Sequence, residues 1–157
     1  MPVTLYVLLR LLHIGGAILL FGTGLGTAFH GWMAFRCGRP EVVAAVARSV
    51  VLADWLFTAP AAALQPVTGL LLAREAGHDL ASPWLAAAAC LYLLVGACWL
   101  PVVWLQIRMA RMSREAVAAG TGLPAAYWRY SRLWFLLGVP AFLAMVAILW
   151  LMVAKPI

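Results

Sequence analysis

Four apolar runs dominate this chain. They cover residues about 5–35, 42–73, 84–112 and 127–153. Each exceeds the roughly 20 residues a helix needs to cross the hydrocarbon layer of a bilayer. The breaks between them are short: Arg36-Cys37-Gly38-Arg39-Pro40-Glu41, then Arg74-Glu75-Ala76-Gly77-His78-Asp79, then Ser113 to Pro124. Of the 157 residues, 66% are apolar or aromatic and 10% are charged. A soluble globule this small has too little interior to bury such a composition. The expected fold is therefore all-α, a polytopic bundle of four transmembrane helices forming a single domain over residues 1–157. The bilayer is its first partner. No length remains for a sizeable domain outside the membrane, so any chemistry belongs within the bundle or at its rims.

The first run is too long for a signal peptide, lacks a basic leading region and contains Arg10, so it reads as a retained helix. Pro60 and Pro66 fall inside the second run, Pro101 inside the third and Pro140 inside the fourth. In lipid, neighbouring groups can satisfy the carbonyls that prolines free. Pro60 and Pro66 are expected to bend the second helix, either for packing or to open its backbone to a partner. The three cysteines show no CxxC and no disulfide framework, and read as small packing residues.

The net charge of +6 would suggest nucleic acid in a soluble chain. Here it sets orientation. Arg36, Arg39 and Arg48 flank the first break, and Arg108, Arg111, Arg114, Arg129 and Arg132 the third. Arg10, Arg74 and Lys155 remain for the opposite side. The positive-inside rule puts the first and third loops in the cytoplasm and both termini outside, with no nucleic-acid partner. Trp32, Trp84, Trp128 and Trp150 lie near helix ends, as in an aromatic belt.

Polar residues in lipid are costly, so they carry most of the information. On the second helix, Asp54, Thr58, Gln65 and Thr68 fall within about 40° of one direction at 100° per residue. This stripe marks a face turned inward. Asp54 suits a proton carrier, a counter-ion, or an ion pair with Arg48 or Arg132. On the first helix, His13, Leu20, Gly24, Thr27 and Gly31 share a direction, and Gly15, Gly16, Gly22, Gly24 and Gly26 crowd one stretch. Small residues let a helix or a flat ligand approach closely. On the third helix, Tyr92, Gly96, Trp99, Val103 and Gln106 align, with Gln106 a partner for Asp54 or Arg48.

Counted from the outer ends, His13, Gln65 and Met145 each lie eight residues in, about 12 Å deep. They are expected to share one layer. Asp54, Thr27, Gln106 and Arg132 would form a second layer toward the cytoplasm. A histidine among glycine, methionine and aromatic residues suits heme iron, with methionine a candidate second axial ligand. The alternative is a neutral histidine hydrogen-bonded to Gln65 or to a backbone carbonyl. His78-Asp79 makes only a weak metal pair and reads as a solvated turn. No phosphate loop, Gly-x-Ser-x-Gly, His-Glu-x-x-His or dinucleotide fingerprint appears.

Several segments together resemble a bacterial family of integral membrane proteins catalogued as domain of unknown function 2269. They are Leu11-Leu12-His13-Ile14, Val50 through Pro60, Leu64-Gln65-Pro66-Val67-Thr68-Gly69, Cys98 through Gln106, and Leu151-Met152-Val153. The resemblance implies a four-helix protein of the bacterial cytoplasmic membrane. The Leu-His-Ile start of the first helix also looks like that of CopD-type copper-resistance proteins and HemJ-type protoporphyrinogen oxidases. HemJ-type proteins use a first-helix histidine for heme b, which carries over to His13 alone. The aromatic segment that follows it in HemJ-type proteins is Gly-rich here.

The expectation is a small heme b redox or electron-transfer protein, with His13 as metal ligand. Gln65, Met145 and Gly24 would be cofactor neighbours, and Asp54, Thr58 and Gln106 interior polar groups. A second copy or a membrane redox partner would assemble with it. The alternatives are a permeation module for a small solute, proton or copper, and a non-catalytic assembly subunit.

Overall fold

The computed structural model describes residues 3–155, which form four long helices and, among those residues, no strand. Pro156 and Ile157 of the expected chain end lie outside them. Helix α1 spans Val3–Cys37, α2 Pro40–Glu75, α3 Pro83–Ala119 and α4 Ala125–Ala154. All four are long and apolar enough to cross a membrane. The polarity of the bundle is inverted relative to a soluble protein. Leu93 is 73% exposed and Leu136 70%, while Asp54, Thr58, Gln65, Thr68, Gln106, Ser113 and Ser131 are all buried. In water that outer surface would be untenable, and in lipid it is the favourable one.

Successive helices run antiparallel. Helix α1 packs along the whole of α2, α3 packs against the first half of α2, and α3 and α4 form a second extensive pair. One core cluster joins Ala34, Val43, Val102, Leu105, Met109, Tyr127 and Trp134, drawing on all four helices at the arginine-rich end. A smaller one at the opposite end joins Trp84, Ala88 and Leu151.

The connections follow from the breaks. Gly38, Gly77 and Gly120 all take the left-handed conformation (φ 68°, 71° and 62°), which lets the chain leave a helix without the cost a Cβ would impose. Pro40 and Pro83 open α2 and α3, where a missing N–H costs nothing. The third connection is shorter than expected. Residues 113–119 are helical, and only 120–124 link α3 to α4. Ser-Arg-Glu-Ala-Val-Ala-Ala looks polar, yet most of it is good helix-forming sequence. An Arg111–Glu115 pair at 2.8 Å runs along its exposed face.

Helix α2 passes both prolines without a break in helical structure, but Asp54–Thr58 forms a π-helical turn. Pro60 gives the reason. It has no N–H for the carbonyl of Leu56, and its ring crowds that oxygen. The backbone relaxes by widening: Ala59 N–H bonds to the Asp54 carbonyl, five residues back. Both prolines are exposed, so their rings face outward.

Of the expected aromatic belt, Trp32, Trp128 and Trp150 are exposed. Trp84 instead packs inward, with His78 edge-on at 5.4 Å. Arg36 stacks over Trp32 at 5.1 Å and Arg108 over Trp104 at 5.4 Å, so rim cations lie on rim rings.

Candidate functional site

The stripe on α2 is the inward face. Asp54 is 6% exposed and Thr68 2%, with Thr58 and Gln65 also buried. It divides into two polar centres, one toward each side of the membrane.

The first centre joins α2 to α1. Thr68 donates its hydroxyl proton to the Leu64 carbonyl at 2.8 Å. Its oxygen then accepts from His13 Nδ1 at 2.9 Å. A hydroxyl has one proton, so the imidazole proton is assigned to Nδ1 and Nε2 keeps its lone pair. Gln65 Nε2 donates to the His13 backbone carbonyl at 2.8 Å. Two glycines make these approaches possible. A Cβ on Gly16 would stand 2.9 Å from Gln65 Nε2, and one on Gly69 would stand 3.0 Å from His13 Cε1. The structure thus brings His13 and Gln65 together, through the histidine's carbonyl rather than its ring. Tyr92 on α3 ties its hydroxyl to the Ala62 carbonyl a turn away along α2.

Met145 does not join this layer. Phe21 meets Phe142 edge-on at 6.0 Å, and Gly31 faces Trp134, which fixes the register of α1 against α4. His13 lies about 12 Å from Phe21 along the axis, whereas Met145 lies about 4.5 Å from Phe142 in the same direction. The two are therefore offset by roughly 8 Å. Gly24 sits on the exposed side of α1 with nothing within 4 Å of a Cβ built there. Among the described residues, Thr27 bonds only to its own helix, to the Thr23 and Gly24 carbonyls.

The second centre lies toward the arginine-rich end. Thr58 donates to Asp54 Oδ1 at 2.9 Å across the π turn. The Gln106 side chain approaches the same carboxyl from α3. Asp54 Oδ2, Gln106 Oε1 and Trp134 Nε1 are buried without a hydrogen-bond partner. Arg48 and Arg132 are exposed, and among the described residues no ion pair is formed with Asp54. An interior polar centre thus stands where a structural ion pair was one expectation.

The α3 stripe is rotated from its expected place. The buried line runs through Cys98, Val102, Leu105, Gln106 and Met109, with Tyr92, Gly96, Trp99 and Val103 only partly buried beside it. Sequence reasoning missed Tyr127 and Ser113, both 0% exposed, although each stands among arginines where a rim was expected. It also missed Trp134, which no spacing singled out. Cys98 packs inside, while Cys37 and Cys90 are exposed. At the other rim, Lys155 Nζ lies 3.4 Å from His78 Nε2, and among the described residues no cluster of three metal-ligating side chains forms.

Four membrane-length helices, a largely apolar exterior and an inward-facing polar stripe on α2 define an integral membrane protein of the four-span helical class. Residues 7–156 match the family described as predicted integral membrane protein, DUF2269, and the chain belongs to that family. No curated protein and no solved structure matches it.

Proposed function

We propose that this chain is a small redox protein of the bacterial cytoplasmic membrane that holds heme b on His13. The observation that carries the reading is the proton assignment at His13. A histidine that ligates a metal through one nitrogen almost always donates its other N–H to a fixed acceptor. Thr68 is such an acceptor, and it leaves Nε2 without a hydrogen-bond partner among the described residues. The imidazole of His13 would hold the iron through Nε2. Met145 is offset from His13 by roughly 8 Å along the axis, so the reading rests on His13 alone. Heme bound there supplies one-electron chemistry. The chain's own contribution is to hold the ring: Thr68 fixes its tautomer, Gln65 pins its backbone and Gly69 gives it room. The Leu-His-Ile resemblance to HemJ-type proteins supports the same residue.

In this reading the arginine-rich end is cytoplasmic and both termini lie outside. A second copy or a redox protein of the same membrane exchanges the electron. Protein purified after expression with adequate heme is expected to show a Soret band that His13→Ala abolishes and Thr68→Val shifts or weakens. A folded, colourless wild-type protein overturns the reading.

A second reading is permeation of a proton or small solute. The continuous buried line from Asp54 through Thr58 and Gln65 to Thr68 favours it. Proteoliposomes would then show a flux that Asp54→Asn reduces at least tenfold, and an unchanged flux removes Asp54-dependent transport.

A further inference from the structure

At the arginine-rich end, one side of α3 carries charges that the two polar centres do not use. Trp104, Arg108, Arg111, Met112 and Glu115 recur at helical spacing, so they share that side. Tyr130 of α4 stands against them, its ring 5.7 Å from that of Trp104. Arg108, Arg111, Met112, Glu115 and Tyr130 line an open cleft of about 300 Å³. Pockets of this size take small organic ligands. Its charges do not cancel. Arg111 is tied to Glu115 at 2.8 Å. Arg108 lies over the Trp104 ring at 5.4 Å, and among the described residues it forms no ion pair. The cleft therefore holds one positive charge in excess. Its depth is that of the membrane surface. Counted from Pro83, the roughly 20 residues that cross the hydrocarbon end near Trp104. Arg108 lies about 6 Å beyond that level, within the headgroup layer, and Arg111 about 10 Å beyond, at its outer edge. On the hydrocarbon side of the cleft, Leu100, Trp104 and Ile107 are exposed.

We propose that this cleft binds the phosphodiester headgroup of one anionic phospholipid, with Arg108 as its principal contact. A guanidinium presents two parallel N–H donors that match two phosphate oxygens. Arg108 keeps those donors free, because its neighbour is the face of a ring and not a carboxylate. Tyr130 adds a phenol O–H to the same wall. One phosphodiester carries one negative charge and balances the excess of the cleft. A choline headgroup instead adds a cation beside Arg108 and Arg111. The exposed Leu100, Trp104 and Ile107 favour a lipid over a free anion, since acyl chains laid along them bury apolar surface beside the charge contact. Basic pockets between helices on the cytoplasmic side hold anionic lipids in this way. Arg36 provides the contrast at the same end. It lies over Trp32 at 5.1 Å, as Arg108 lies over Trp104, but it is not among the residues that line this cleft.

The test is native mass spectrometry of the full chain released from a neutral detergent, with phosphatidylglycerol, phosphatidylcholine and glycerol phosphate as the probes. One phosphatidylglycerol is expected to stay bound in preference to phosphatidylcholine. Arg108→Gln is expected to weaken that binding about tenfold, the order of one hydrogen bond to a charged group. Arg108→Lys recovers part of it. Arg36→Gln, which removes the same charge from the same end, leaves it unchanged. Equal losses in Arg108→Gln and Arg36→Gln overturn the proposal, because they mark a diffuse attraction to the rim. Equal binding of the two lipids also overturns it. So does glycerol phosphate that binds as tightly as phosphatidylglycerol, since the cleft would then be a site for a free anion.

Discussion

Gly16 and Gly69 differ from the glycines around them because an added methyl group meets the polar tie between α1 and α2. At Gly69 the obstacle is the imidazole of His13. Alanine there requires the ring to shift by a few tenths of an ångström against its bond to Thr68, while Gly24→Ala meets nothing and improves helix propensity. Interhelical hydrogen bonds in membrane proteins are worth about 0.6 kcal/mol on average and up to about 1.7. Gly69→Ala is thus expected to lower stability by about 1 kcal/mol or more, with Gly24→Ala neutral or stabilising. Equilibrium unfolding in mixed micelles measures both. Equal losses would show that all the glycines serve one packing role. Composition could flag the glycine-rich stretch but could not rank it. What separates Gly16 from Gly24 is a partner 49 residues away on another helix. The α2 stripe was legible for the opposite reason. Asp54, Thr58, Gln65 and Thr68 are polar on a helix that is otherwise apolar, and lipid leaves such residues only one direction to face. For Met145, depth counted from the ragged ends of apolar runs does not give the register, which side-chain contacts such as Phe21–Phe142 set.

At the scale of the element, α2 is the helix on which the two centres depend. Its π turn inserts part of a residue into the helical phase between Val50 and Ala61, both buried. In a regular helix these two positions lie within about 20° of one direction, so the widened turn rotates the face above it relative to the face below. Pro60→Ala returns an N–H to the carbonyl of Leu56 and removes the crowding ring. On propensity alone it should stabilise α2, since proline in a helix interior costs about 3 kcal/mol relative to alanine. The expected outcome is the reverse: a lower unfolding midpoint, because closing the turn rotates Asp54 and Thr58 away from Gln106. A higher midpoint would mean that proline imposes the turn and the fold gains nothing from it. The prolines were visible in the sequence, and the widening was not. Whether a carbonyl freed by proline is met by a kink, a water or a wider turn depends on neighbours that sequence does not display. The end of α3 erred the other way, since a charged segment was read as a loop when its arginines and glutamate simply extend a helix beyond the hydrocarbon layer.

For the whole molecule, the arrangement is asymmetric across the membrane. The cluster built by all four helices, the long overhang of α3 and most of the arginines lie at one end, with Cys37 exposed beside Arg36. Cys98 is buried and Cys90 is exposed within the α3 span, so in a Cys90→Ser background Cys37 serves as a natural reporter of that end. If this end is cytoplasmic, a membrane-impermeant maleimide labels Cys37 in inverted vesicles and not in intact spheroplasts, with Cys37→Ser as the control. Labelling in spheroplasts would reverse the orientation.

The buried stripe also bears on how the chain enters the bilayer. Helix α2 is the least apolar of the four spans, because it carries both polar centres. Alone in lipid it would present Asp54, Gln65 and two threonines to hydrocarbon. The partner that covers the half of that face farther from the arginine-rich end is α1, which precedes it in synthesis and binds Gln65 and Thr68 through His13. The order of the helices along the gene therefore places a partner for Gln65 and Thr68 in the membrane before α2 arrives, while Asp54 waits for α3, which brings Gln106.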